Sequence, residues 1–254
     1  MNYNKLKKFW LAEQEIAHIH GWDFSHIDGR WDCREDDLPW DYPEIIKEYL
    51  SSDKRILDID TGGGEFLLTL GHPYNMTSAT EAYPPNVKLC KNTLVPLGIN
   101  FREAVDYANL PFEDDSFDIV INRHGAYDIS ELKRILKKGG VFITQQVGEE
   151  NDRELVELLC PNTAQKFKGW NLQNQISGFE QHGFDILKRD EHFCPIEFYD
   201  VGALVWFARI IEWEFIGFSV EKNFEQLCNA YNLIQTHGKA EGHIHRFMIT
   251  AQKI

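Results

Sequence analysis

From Arg55 onward, short apolar runs alternate with amphipathic stretches of roughly ten residues, the rhythm of strands and helices in turn. Ile56–Asp60 reads as a first strand, with Glu65–Leu70 opening the helix after it. Met76–Glu81 is a second strand, followed by a helix from Pro85 to Leu97 and a third strand over Asn100–Val105. Phe117–Asn122, Phe-Asp-Ile-Val-Ile-Asn, is the fourth and best defined. Ile129–Lys138 reads as a helix that Gly139-Gly140 stops with a left-handed cap, and Val141–Gln146 as a fifth strand. Strands separated by helices imply right-handed crossovers and a parallel sheet covered on both faces.

The flanking segments read differently. Lys5–Ile19 has the pattern of an amphipathic helix, whereas residues 21–40 are dense in tryptophan and carboxylates and show no period. Asp41 can cap a helix with Pro43 in its first turn and Ile45, Ile46, Tyr49 and Leu50 as its apolar set. Asn151–Leu159 and Asn171–His182 are further helices, the latter ending at Gly183. Phe184–Arg189 and His245–Gln252 read as a late antiparallel pair closing the sheet. Between them Val201–Ile216 is strongly apolar but too short to span a bilayer, so it is a buried helix or a lid over the site. The expected organisation is an N-terminal helical and aromatic cap over 1–50, then one α/β domain over 51–254 with an inserted lid at about 195–240.

Charge narrows the function classes. Lys and Arg number 26 against 40 Asp and Glu, a formal net charge of −14 that would repel a nucleic acid at long range. The two short basic runs, Lys5–Lys8 and Lys133–Lys138, read as solvated helix faces. The cysteines at 33, 90, 160, 194 and 228 form no Cys-x-x-Cys pair, which argues against a disulfide framework and a zinc knuckle. Residues 1–11 are too charged for a signal peptide, and no apolar run reaches the ~18 residues of a membrane span, so the chain reads as cytoplasmic. His243 and His245 alternate along a strand, but no spacing supplies a third ligand, so no metal is expected.

The chemistry-bearing positions fall at strand ends. Gly62, Gly63 and Gly64 lie between a buried strand and a helix, where missing Cβ atoms let the backbone turn sharply and approach a ligand. The loop has neither the Lys-Ser/Thr of a Walker loop nor the Gly-x-Gly-x-x-Gly of a nicotinamide site. Glu81, 23 positions after Asp58, ends the second strand, where a carboxylate can accept from both hydroxyls of a ribose or serve as the acid at a helix N-terminus. Asp106 ends the third, where it can accept from an exocyclic amine with the Tyr107 backbone on the ring edge, or simply hold a turn. His124, just past the fourth strand, is the best-placed general base, or a hydrogen-bonded packing residue.

Taken in order, Leu57-Asp-Ile-Asp-Thr-Gly-Gly-Gly64, Glu81, Asp106 with Leu110-Pro-Phe112, Phe117–Val120 and Leu132–Gly140 resemble the class I S-adenosylmethionine-dependent methyltransferases with a Rossmann-like fold, over about residues 50–148. The resemblance implies a mostly parallel sheet with a late antiparallel strand, S-adenosyl-L-methionine as cofactor, and methyl transfer as activity. On this chain it implies that the backbone around Asp60, Gly62 and Gly64 passes beside the methionine portion, with Asp58 also among the cofactor-binding residues. Glu81 would hold the ribose, Ala82 would pack on adenine, Asp106 and Tyr107 would hold the adenine edge, and Asn122 and Arg123 would sit near the sulfonium and carboxylate. One departure stands out, since the family places glycine where this chain has Asp60. A Cβ there can crowd the cofactor, or its carboxylate can pair with the ammonium group. The aromatic segments 22–40 and 201–218 are candidate walls of an acceptor pocket, or caps on the core. The acidic balance favours a small-molecule acceptor, with no membrane partner and no oligomer specified. The rivals are a nucleic-acid methyltransferase and a cofactor-binding protein without transferase activity.

Overall fold

A computed structural model describes residues 3–18 and 23–254. In chain order the elements are α1 (Tyr3–Glu15), β1 (Trp31–Cys33), α2 (Tyr42–Tyr49), β2 (Ile56–Ile59), α3 (Glu65–Thr69), β3 (Thr77–Glu81), α4 (Pro84–Thr93), β4 (Asn100–Glu103), β5 (Phe117–Arg123) and α5 (Ile129–Ile135). Then follow β6 (Leu136–Val147), α6 (Arg153–Leu159), α7 (Leu172–Gln181), β7 (Phe184–Phe198), α8 (Val201–Ile210), α9 (Phe224–His237) and β8 (Ala240–Lys253). The chain divides into two compact units, one of residues 39–148, 170–191 and 246–254, the other of residues 1–38, 149–169 and 192–245.

The first unit holds the predicted parallel sheet, with strand order β7-β8-β6-β5-β2-β3-β4. Pairing is parallel from β6 through β5, β2 and β3 to β4, and β8 runs antiparallel to β6. All four residues of β2 are buried, as a central strand covered on both faces requires. The chain builds outward from β2 through β3 to β4, then returns to build β5 and β6 on the other side. That reversal puts a topological switch point between β2 and β5, where the loops leaving adjacent strands diverge and open a crevice.

Local chemistry sets several boundaries. Asp41 caps α2 by accepting from the Glu44 amide at 3.0 Å, Asp128 caps α5 through Glu131 at 2.8 Å, and Asn171 caps α7 through Asn174 at 3.0 Å. Several boundaries depart from expectation, with α4 ending at Thr93, β7 running on to Phe198, β8 starting at Ala240 and α5 ending early. The predicted helix over Ile129–Lys138 ends at Ile135, and Leu136–Gly140 are already strand. Leu136 pairs with Phe117, while the Asp115 and Ser116 amides donate to the Arg134 and Ile135 carbonyls, so β5 draws the chain out of the helix early. Gly139 does take a positive φ of 77°, but within β6 rather than as a helix cap.

The second unit is built around α8, in which nine residues from Val201 to Ile210 are buried, and which Asp200 caps by accepting from the Ala203 amide at 3.0 Å. Trp10 of α1, at 1% exposure, joins the same core as Phe198, Trp206, Phe207 and Phe215. The aromatic N-terminal segment packs there too: the Trp31 ring lies 6.0 Å from both Phe198 and Phe207, and β1 pairs antiparallel with the end of β7. Arg30 ties this core's rim together, with Nε donating to Asp200 at 2.7 Å and a second nitrogen 2.9 Å from Glu13. Ile19 of the expected first helix, and residues 21 and 22 of the aromatic segment, lie outside the described residues. Among the described residues no helix is long and apolar enough to cross a membrane.

Candidate functional site

At the carboxyl end of β2 the buried Asp58 carboxylate accepts from the Thr61 hydroxyl at 2.6 Å. Burial drives its pKa up to about 7; the Thr61 bond and Arg123 oppose that rise, and the charges of Asp60 and Glu81 add to it. Two residues on, Asp60 sits at φ 62° in the left-handed region, which aspartate tolerates better than most residues. Its Oδ2 accepts from the Tyr107 hydroxyl at 2.9 Å, bridging the loops after β2 and β4. Burial raises the Asp60 carboxyl, the Tyr107 bond lowers it, and Glu81 raises it further. The Tyr107 hydroxyl is itself pushed well up by burial and by Asp60.

Glu81, at the end of β3, organises the glycine loop. It is 4% exposed; Oε1 accepts from the Ala82 and Tyr83 amides at 2.8 and 2.9 Å, and Oε2 from the Gly62 amide at 2.8 Å. Asn86 Nδ2 approaches the same oxygen at 3.3 Å. Gly64 opens α3 at φ 85°, where a Cβ would fall 2.7 Å from the Leu94 side chain.

The end of β5 supplies the other wall. Asn122 is fully buried and turned inward, its Nδ2 donating to the Ile59 carbonyl at 2.9 Å and its Oδ1 accepting from Gln146 at 2.6 Å. Arg123 lies with its guanidinium 4.6 Å from the Phe66 ring centre. His124 also adopts a positive φ, 61°, and its amide donates to the Gln145 carbonyl at 2.9 Å. His124 is an exposed residue that lines a concave surface. The surrounding protein holds its pKa well below the ordinary histidine value, and the positive charges of Arg246 and Arg123 push the same way. Gly125 follows because nothing larger fits: a Cβ there would lie 2.7 Å from Asn122 Nδ2 and from the Cβ and Oδ2 of Asp60.

These loops enclose a cleft of about 390 Å³, lined by Asp60, Gly62, Glu81, Ala82, Tyr107, Arg123 and His124 among the residues singled out from sequence. Tyr83, Asn86 and Gly125 line it as well. Asp58, Gly64 and Asn122 stand behind the lining as supports. Asp106 is exposed, and its Oδ1 accepts from the Ala108 amide at 3.0 Å in a turn, so of the pair 106–107 it is Tyr107 that the cleft receives. Gln145 and Gln146, adjacent polar residues inside a buried strand, carried a legible signal, since buried amides need specific partners. Gly125 and Asn86 carried none.

Residues 57–144 match the family model described as Methyltransferase domain. Over 172 residues the chain is 33% identical to a Mycobacterium ulcerans protein named "Probable phthiotriol/phenolphthiotriol dimycocerosates methyltransferase 2", covering 55% of this chain and 62% of that one. The chain thus spans less than two thirds of that relative's length. Among solved structures it resembles the YcgJ protein of Bacillus subtilis, with a TM-score of 0.56 at 18% identity over 83% of this chain and 96% of that one. It also resembles the (4+2) cyclase SpnF, with a TM-score of 0.51 at 16% identity over 83% and 80%. The fold is the Rossmann-like methyltransferase fold. One such structure is a cyclase, so this fold does not by itself fix the chemistry.

Proposed function

We propose that this chain, whose residues 57–144 form a methyltransferase domain of the class I type, transfers a methyl group from S-adenosylmethionine to a small-molecule acceptor. The observation that carries the reading is the convergence of the β2, β3, β4 and β5 loops on one cleft, with Gly62, Glu81, Tyr107 and Arg123 in its lining. The volume of about 390 Å³ lies within the ~300–1,000 Å³ of ordinary ligand sites. When bound, the cofactor supplies an electrophilic methyl group on a sulfonium.

The residues present fit that group. Glu81 offers a carboxylate oxygen to one ribose hydroxyl. About four acceptor directions exist on a carboxylate, and three already serve backbone amides, so the long Asn86 contact at 3.3 Å is the one a hydroxyl displaces. Gly62 lets the backbone pass close to the ligand, and Ala82 offers a small apolar surface to a base. Asp60, held by Tyr107, places a carboxylate in the cleft that favours a cationic ligand, and Arg123 offers its guanidinium to a carboxylate. Methyl transfer is an in-line displacement, so positioning and exclusion of water by these loops supply most of the rate.

A small acceptor agrees with the net charge of −14, which disfavours a nucleic acid, and with the relative's name, which specifies a phthiotriol-type molecule. The scattered cysteines suit a cytoplasmic setting. A second reading, cofactor binding without transfer, draws on Asp60 standing at a glycine position and bonded across the cleft to Tyr107. Calorimetric titration with S-adenosylhomocysteine, with NADH as control, tests the cofactor assignment: micromolar binding of the former alone supports it, and absence of binding refutes it. Methyl transfer to any acceptor in a subsequent screen eliminates the second reading.

A further inference from the structure

Arg123 lines the cleft at the end of β5 and is exposed, and among the described residues no carboxylate lies within ion-pair distance of it. In a chain with 40 Asp and Glu against 26 Lys and Arg, that calls for a reason. What holds the side chain is an aromatic ring. Its guanidinium lies 4.6 Å from the centre of the Phe66 ring on α3, inside the ~6 Å over which a cation is drawn to a ring face. The Phe66 ring is itself stacked on Tyr42 of α2, with centres 5.6 Å apart and planes 26° from parallel. Tyr42 is a fixed base for that stack. It is 3% exposed, and its hydroxyl donates toward the carbonyl oxygens of Asn122 at 3.0 Å and Ile143 at 3.1 Å. Asn122 directly precedes Arg123, so one tyrosine braces both the backbone from which the arginine leaves and the ring on which its guanidinium rests.

We propose that Phe66 is a positioning residue for the ligand of this cleft: its ring holds the Arg123 guanidinium in place for a ligand carboxylate without consuming the charge or the N–H donors. A protein carboxylate would fix the side chain as firmly, but would take up two of its five donors and cancel its charge. A ring face carries no net charge and accepts no conventional hydrogen bond, so charge and donors stay available to the ligand. The gain is in entropy. A mobile arginine loses rotamer freedom when a ligand immobilises it, a loss equivalent to about two- to tenfold in affinity. An arginine already resting on a ring has given up part of that freedom beforehand. Asp60 and Glu81 supply negative charge from the β2 and β3 loops, which leaves Arg123 to take the carboxylate of a zwitterionic amino-acid group and to set which way round that group lies.

The carboxylate role rests on the methyltransferase reading; the stack does not. Calorimetry compares S-adenosylhomocysteine with methylthioadenosine, which keeps the adenosine and the thioether but lacks the amino-acid group. Phe66→Leu should weaken the first about two- to tenfold and leave the second unchanged, and Phe66→Tyr, which restores a ring, should bind both as the wild type does. In an Arg123→Gln background, Phe66→Leu should add no further loss. Equal weakening of both ligands, no recovery in Phe66→Tyr, or an undiminished loss without Arg123 would overturn the proposal. So would a wild type that binds methylthioadenosine as tightly as S-adenosylhomocysteine, although the cofactor assignment would then survive. Urea unfolding tests the stack without ligand: the midpoint of the double variant should fall by less than the two single losses combined, and strict additivity overturns the proposal. If neither ligand binds the wild type, the proposed function falls and the carboxylate role with it, and the urea series alone decides whether the ring holds the guanidinium.

Discussion

Replacing Asp58 with asparagine should abolish a specific part of the protein's pH-dependent stability. Asp58 is buried at the end of β2, with its pKa raised from the ordinary 3.8 to about 7. In the unfolded chain it ionises near its ordinary value, so between about pH 4 and pH 7 the folded state binds the extra proton. Stability then falls as pH rises through that window and levels off above it. The interval from 3.8 to about 7 corresponds to at most roughly 4 kcal/mol, of which about 3 kcal/mol lies between pH 5 and pH 8. Asparagine keeps an oxygen to accept from the Thr61 hydroxyl and has no charge to bury. Its NH2 can cost about 1–3 kcal/mol if left without a partner, so the absolute stability of the variant is not the test; the pH slope is. His124 contributes the opposite slope, because its depressed pKa makes the unfolded state the better proton binder just below its ordinary value. That contribution is common to both proteins and cancels in their difference. Urea unfolding at pH 5, 6, 7 and 8 should show wild type losing about 3 kcal/mol relative to Asp58→Asn across the series. A difference that stays constant with pH would refute the reasoning.

Three further outcomes follow from the site. Glu81→Ala strands the Gly62, Ala82 and Tyr83 amides, so it should lower stability by about 2 kcal/mol or more and weaken S-adenosylhomocysteine binding over ~100-fold, read by denaturation and calorimetry. Asp60→Asn keeps an acceptor for Tyr107 and loses the charge, so affinity for the cationic S-adenosylmethionine should fall about fivefold relative to the uncharged-sulfur homocysteine form; an unchanged ratio means the carboxylate does not act on the sulfonium. Gly125→Ala forces a Cβ against Asp60 and Asn122, which should cost about 1–3 kcal/mol in thermal denaturation and reduce ligand affinity about tenfold.

Much of the fold was legible because its determinants are local. Strand burial follows a short apolar run, caps at Asp41, Asp128 and Asn171 need only an amide three residues on, and a glycine cluster marks its own turn. The order of β2, β3, β4, β5 and β6, and with it the loops that meet at the switch point, could therefore be read in advance. Where the reading erred, long-range pairing prevailed over local preference: Leu136 left the predicted helix because Phe117 offered it a strand partner.

The sequence alone determined which loops face the cleft and which residue types they carry, since both depend on neighbours a few positions away. Only the tertiary structure decided how those side chains are used. It turned Asn122 into the core toward Gln146, left Asp106 in a turn while Tyr107 reached Asp60, and set Gln145 between His124 and Trp40, a residue 105 positions distant from that glutamine. It also gathered three separated stretches, residues 1–38, 149–169 and 192–245, into one unit around α8. Hydrogen-bond direction and proton position are properties of pairs, and the members of these pairs are brought together only by the folded chain.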